Sequence, residues 1–192
     1  NIKKNNFYQN TNNALNLINN KDIKYLDGEY YITKDLIIEK NYYLLENKKL
    51  NINEGVKIFF KEDVVLYSEG SILFNGSKEK PILIYSEKGY GSLILSNNIY
   101  DIKNVVFQNL SFPKSVEKIL YGGINVINSN LNILDVEIKN SNSEDAINII
   151  SSKSYIKNLK MIDISADAID IDFGELVFNN VICKNILNDC LD

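Results

Sequence analysis

The 192-residue chain contains no histidine, no arginine and no tryptophan, and only two prolines, two cysteines and one methionine. Without histidine there is no imidazole base, no Ser-His triad and no His-ligated zinc. Without arginine there is no bidentate clamp for carboxylate or phosphate. All 21 cations are lysines, set against 25 acidic residues for a net charge of −4. A nucleic-acid partner calls for a basic surface, so that class is excluded. The longest apolar runs, such as ILIY at 82–85, are far too short to span a bilayer. Cys183 and Cys190 are too few for a disulfide framework. The chain begins at Asn1 with no visible signal peptide, and reads as a mature or cropped piece of a longer product.

What is present suits one globular domain with a real core: 45% of residues are hydrophobic and 24% charged. Asparagine occurs 30 times and isoleucine 29 times, a bias that an AT-rich genome produces without any functional cause. The arrangement is more telling. EDAINI (144–149), ADAIDI (166–171) and NDCLD (188–192) align, which places Asp145, Asp167 and Asp189 at intervals of 22 residues. That period, with apolar residues alternating at two, predicts a solenoid with one coil per repeat. The first strand of each coil carries an apolar pair: Leu93/Leu95, Ile124/Val126, Ile147/Ile149 and Ile169/Ile171. A second set follows as Ile102/Val105/Phe107, Ile133/Val136/Ile138, Ile156/Leu159/Met161 and Phe178/Val181/Cys183, and a polar corner recurs at Asn109, Asn140, Asp163 and Asn185. Stacked about 4.8 Å apart, such rows become ladders of like side chains. The predicted fold is therefore all-β, a parallel β-helix.

Three further local readings follow. The segment TNNALNLINN (11–20) predicts a short amphipathic helix with Thr11 as N-cap, closing the N-terminal end of the solenoid. Gly55, Gly70 and Gly76 suit corners that need positive φ. The step from Leu93 to Ile124 is 31 residues against 23 from Ile124 to Ile147, so part of segment 109–123 must leave the coil as a loop. The expected organisation is an N-terminal cap over 1–27 and β-helix coils over 28–192, truncated at the C-terminus. Further coils or domains of the same polypeptide are expected to follow.

The stretch LNINEGVKIFF…LYSEGSILFNGSKEKPILIYS, followed by GGINVINSN…EDAINIISSKSYIKN…ADAIDIDFGEL…NDCLD, resembles the right-handed parallel β-helix superfamily, the pectate-lyase-like group. It is most similar to a subgroup of bacterial surface proteins, some of them attached to a spore-coat-kinase-like domain. The resemblance implies right-handed coils over roughly residues 28–192 and an extracellular or cell-surface location. It also implies, by fold-level analogy alone, an extracellular polysaccharide as partner.

The chemistry-bearing residues converge at the C-terminal end. Asp145, Asp167 and Asp189 share one column and read as a structural turn ladder that accepts backbone N–H groups. Asn148, Asp170 and Asp192 share a second column, with Asp172 two residues further along. These four are the candidate binding residues, the alternative being a solvated face. Carboxylates stacked one coil apart repel, so Asp170, Asp172 and Asp192 would have to be hydrated, partly protonated or bridged by a cation. Oxygen ligands with no thiolate or imidazole suit Ca²⁺, the one cofactor the residues suggest. No catalytic residue is assigned. The competing reading takes ADAI and NDCL as similar to the paired aspartates of polygalacturonase-like glycoside hydrolases, with Asp167 and Asp189 one coil apart. Asn188 stands where the first Asp of that family's pair belongs, and its His-Gly and R-I-K motifs are absent. Cys183 reads as a small core residue, and Cys190 as one of a small-residue column with Gly123, Ala146 and Ala168.

Overall fold

The computed structural model describes residues 15–87, 89–112 and 120–192. They form a parallel β-solenoid of about six turns. Each turn gives one strand to a seven-stranded sheet, in the order 15–16, 42–44, 64–68, 91–96, 122–127, 145–150 and 167–172, every neighbouring pair parallel. The rest of each turn runs through a second, bent sheet. In its later coils the strands Asn130–Lys139, Lys153–Ile164 and Glu175–Ile186 cross the bend unbroken.

The apolar rows read from the sequence are the rungs of this structure. Leu93, Ile124, Ile147 and Ile169 stand in register, as do Leu95, Val126, Ile149 and Ile171. All are buried except Ile171, which packs half-buried against the core. In the second sheet Ile102, Ile133, Ile156 and Phe178 form one row, and Phe107, Ile138, Met161 and Cys183 another. β-Branched side chains suit this packing because a stiff χ1 costs little in a strand.

Corners are where asparagine is used. Asn109, Asn140, Asp163 and Asn185 all have positive φ, between 54° and 58°. A second such row, Asn104, Asp135, Asn158 and Asn180, marks the bend inside the long strands. Asn and Asp tolerate this left-handed geometry better than other side chains that carry a Cβ. Stacking also lets each corner satisfy the next. Asn158 Nδ2 donates to Asp135 Oδ1 (2.7 Å), Asn180 Nδ2 to Asn158 Oδ1 (2.9 Å) and Asn185 Nδ2 to Asp163 Oδ1 (2.8 Å). Of the three glycines expected at positive φ, only Gly55 has it, at 73°. Gly70 is required by space instead: a Cβ there would lie 2.5 Å from the Leu45 carbonyl oxygen.

Two expectations are corrected. Residues 15–20 of the expected cap helix are not α-helical. Leu15–Asn16 pairs in parallel with Tyr42 and Tyr43, and Leu17–Asn19 makes a single 3₁₀ turn whose Leu17 is buried. Asn16 accepts a hydrogen bond from the Ile18 N–H, the local competition that makes asparagine a poor helix former. Thr11, the expected N-cap, lies outside the described residues. The expected boundary after residue 27 falls in the tight turn at Asp27 and Gly28, between the antiparallel strands Ile23–Leu26 and Glu29–Ile32. No helix among the described residues is long and apolar enough to cross a membrane.

The second correction concerns cysteine. Cys183 does occupy the inward row, but it is disulfide-bonded to Cys190, with the Cα atoms 6.1 Å apart. In the sequence the two cysteines belong to separate rows, and nothing there shows that the ends of those rows meet in the last coil. The bond closes a short loop around the corner at Asn185. By loop-closure entropy, C183S/C190S should cost roughly 2–3 kcal/mol in that coil. Urea unfolding of the variant, and of wild type with and without reductant, measures it; equal midpoints would deny the clasp any role.

Candidate functional site

On the outer face of the seven-stranded sheet a polar stripe runs along the solenoid axis. It begins at Ser92 in the strand Gly91–Ser96, continues through Asn125 and Asn148, and ends at Asp170 and Asp192. Asn125, Asn148 and Asp170 are in register. Asp192 extends the row: its N–H donates to the Ile169 carbonyl and its own carbonyl accepts from Ile171 N–H, which places it opposite Asp170. The column expected for Asn148, Asp170 and Asp192 is therefore present, and Asp172 stands two residues beyond Asp170 in the same strand.

The upstream part of the stripe is saturated with hydrogen bonds. Asn125 is fully buried; its Nδ2 donates to the Gly122 carbonyl (2.7 Å) and to Ser92 Oγ (3.1 Å), while its Oδ1 accepts from Gly122 N–H (3.1 Å). Ser92 and Asn125 are not among the candidates drawn from the sequence, although Asn125 falls in the same row as Asn148 once the repeats are aligned. Beside them on the same face, Val65 and Ile94 pack under Leu120, where the chain returns from the 109–123 excursion. The middle of that excursion, 113–119, lies outside the described residues. Gly123 follows, and a Cβ on it would sit 3.2 Å from Leu110, so this member of the small-residue column packs on the excursion's outgoing limb.

The downstream part is under-satisfied. Asp145 is only 4% exposed, and its Oδ2 accepts from Asn148 Nδ2 at 3.0 Å. Burial pushes its carboxyl up to about 7, with Asp170 adding to the rise and the Asn148 hydrogen bond opposing it. Asn148 is itself buried, and its Oδ1 finds no hydrogen-bond partner among the described residues. Asp170 is raised as well, by burial first and then by Asp172 and Asp192. Asp145, Asp167 and Asp189 share a column but not a role. Asp167 Oδ1 accepts from Asp189 N–H and from Asn188 Nδ2, both at 2.8 Å, which is a corner cap. Asp145 instead holds Asn148. Asp172, Asp189 and Asp192 are exposed. Among the described residues no three His, Cys, Asp or Glu side chains group closely enough to hold a metal ion.

A second concavity lies on the bent sheet. An open trough of about 300 Å³ crosses several coils and is lined by Ser77, Lys78, Asn104, Asp135, Glu137 and Lys160, over a floor of Val105, Val106 and Val136. Lys160 Nζ donates to Glu137 Oε2 at 3.2 Å. These residues are far apart in sequence; the stacking of the coils brings them to one surface beside the bend at Asn104 and Asp135, with Val106, Glu137 and Lys160 in one register row. No protein-family model, no curated protein and no solved structure matches the chain.

Proposed function

We propose that the chain is a rigid, non-catalytic β-helix module of a secreted or surface-attached bacterial protein, related to the pectate-lyase-like β-helices, and that it recognises extracellular polysaccharide. The observation that carries this reading is the trough. It is open, it presents donors and acceptors of both charge signs above an apolar floor, and its rows repeat at about the 4.8 Å spacing of the coils. An extended polymer lying along the axis would meet one side chain per coil at that spacing, Val106, Glu137 and Lys160 in turn along one register row. The disulfide suits an oxidising compartment, which fits an extracellular setting. In the glycosidase reading Asp167 would have to act through Oδ2, since its Oδ1 accepts two hydrogen bonds as a corner cap.

A glycan array followed by calorimetry tests the proposal. Binding of an acidic or neutral polysaccharide is expected, and K78A/K160A should weaken it at least about tenfold while D167N/D189N leaves it unchanged. Release of reducing ends that is abolished in D167N/D189N would replace recognition with hydrolysis.

A further inference from the structure

One stretch of outer surface breaks the alternation that a half-buried strand obeys. On the bent sheet the strands Leu36–Ile38, Lys57–Phe60, Ile82–Ser86 and Val105–Gln108 point Ile38, Phe60, Ile84 and Phe107 inward, where all four are buried. Their outward positions should be polar. They hold Ile37, Phe59, Leu83, Tyr85 and Val106 instead, of which Ile37 is 49% exposed and the others are half-buried. The strands Lys57–Phe60, Ile82–Ser86 and Val105–Gln108 are paired on both edges, so this face depends on neither end of the chain.

Two register rows organise it. One runs Ile37, Phe59, Tyr85, Gln108 and Lys139. The other runs Lys57, Leu83, Val106, Glu137 and Lys160, and so passes from this face into the trough. The Phe59 and Tyr85 rings are 5.1 Å apart between centroids and tilted by 49°, so neither covers the other's face. Apart from Lys57, the rows turn polar only from Gln108 and Glu137 onward. There Glu137 contacts both Lys160 (3.2 Å) and Lys139 (3.5 Å), so no row of like charges forms to hold a polyanion.

An occupant that follows these rows must repeat once per coil, at about 4.8 Å. An extended peptide does not, because its like-facing side chains recur at about 6.7 Å. A chain of pyranose rings advances by close to one coil height per ring. Rings with equatorial substituents carry C–H groups on both faces, which stack on aromatic and aliphatic side chains, and hydroxyls around the rim, which meet polar ones. We propose that Phe59 and Tyr85 form the stacking platform of the polysaccharide site, and that its ligand is a neutral, β-linked glycan of equatorial pyranose rings lying along the axis from Ile37 into the trough. This rests on the polysaccharide reading above and narrows it to uncharged sugars.

Calorimetry with cellohexaose and hexagalacturonate, together with a Y85W variant, tests it. The chain has no tryptophan, so Y85W carries a single indole at the platform. Wild type is expected to bind cellohexaose and not hexagalacturonate. F59A and Y85A should each weaken that binding at least about tenfold. Y85W should retain it, and its emission should shift to shorter wavelength as the sugar displaces water from the ring. Cellohexaose binding that F59A and Y85A leave unchanged overturns the platform and leaves recognition to the trough alone. Binding of hexagalacturonate without cellohexaose does the same, and so does a Y85W protein that binds no better than Y85A. A wild type that binds no glycan, on the array or in solution, overturns both readings and leaves the apolar face to a protein partner.

Discussion

At pH 8 in EDTA, D145N should unfold at a higher temperature than wild type, by roughly 6–12 °C, and the difference should vanish as the pH is lowered to about 4. The direction follows from linkage. Asp145 titrates near 7 in the folded protein, whereas an unfolded aspartate titrates near 3.9. Between those values the folded state binds the extra proton, so stability falls as pH rises from about 4 to about 7 and is level above that. Three pKa units correspond to at most roughly 4 kcal/mol, all of it a penalty at pH 8. Asparagine is neutral at every pH and escapes the penalty. The groups that set it are burial, Asp170, Glu144 and Asp167, with Asn148 acting in the opposite sense. D170N should give a smaller gain of the same sign, since Asp170 is raised by burial and by Asp172 and Asp192. A D145N protein no more stable than wild type at pH 8 would mean that Asp145 is hydrated or bound to a cation.

Ile147→Ala should destabilise the core by about 3–4 kcal/mol and lower the midpoint by roughly 10 °C. Ile147 is fully buried and is stacked between Ile124 and Ile169. Truncating it leaves a cavity that touches both neighbouring coils. In a solenoid each coil is stabilised chiefly by the coils beside it, so one cavity weakens two interfaces. Ile99 provides the control. It also lies in a strand but is 53% exposed, and I99A should stay within about 0.5 kcal/mol of wild type in urea melts.

Much of this architecture is legible in the sequence because a β-solenoid is close to one-dimensional. When coils stack in register, aligning EDAINI with ADAIDI is the same operation as pairing their strands, and the inward rows follow from a period of two. The expectations that fail depend on a different kind of information. TNNALNLINN has an amphipathic pattern, but Asn16 and Asn20 accept local backbone hydrogen bonds, and Leu15 and Asn16 pair with a strand 27 residues later. Cys183 and Cys190 sit in two separate rows, and their meeting depends on how sharply the chain turns at Asn185. Gly70 reads as a positive-φ corner because a sequence does not distinguish a left-handed turn from a close backbone approach. At the candidate site, Asn148, Asp170 and Asp192 are legible as one column. The near-neutral carboxyl of Asp145 is not, because it depends on burial that alignment of the repeats does not reveal.

The solenoid and the polar stripe both require the aligned rows to stand in register, one coil apart. Asn132 and Tyr155 are such a pair, both exposed and on adjacent parallel strands. Their Cα atoms should be about 4.8 Å apart, within the range a disulfide can bridge, whereas Asn132 and Lys157 should be about 8 Å apart and beyond it. Air oxidation of N132C/Y155C, followed by non-reducing digestion and mass spectrometry, should give a nearly complete intramolecular 132–155 crosslink, and N132C/K157C should give almost none. Crosslinking of the 132–157 pair in preference to 132–155, or of neither, would contradict that register.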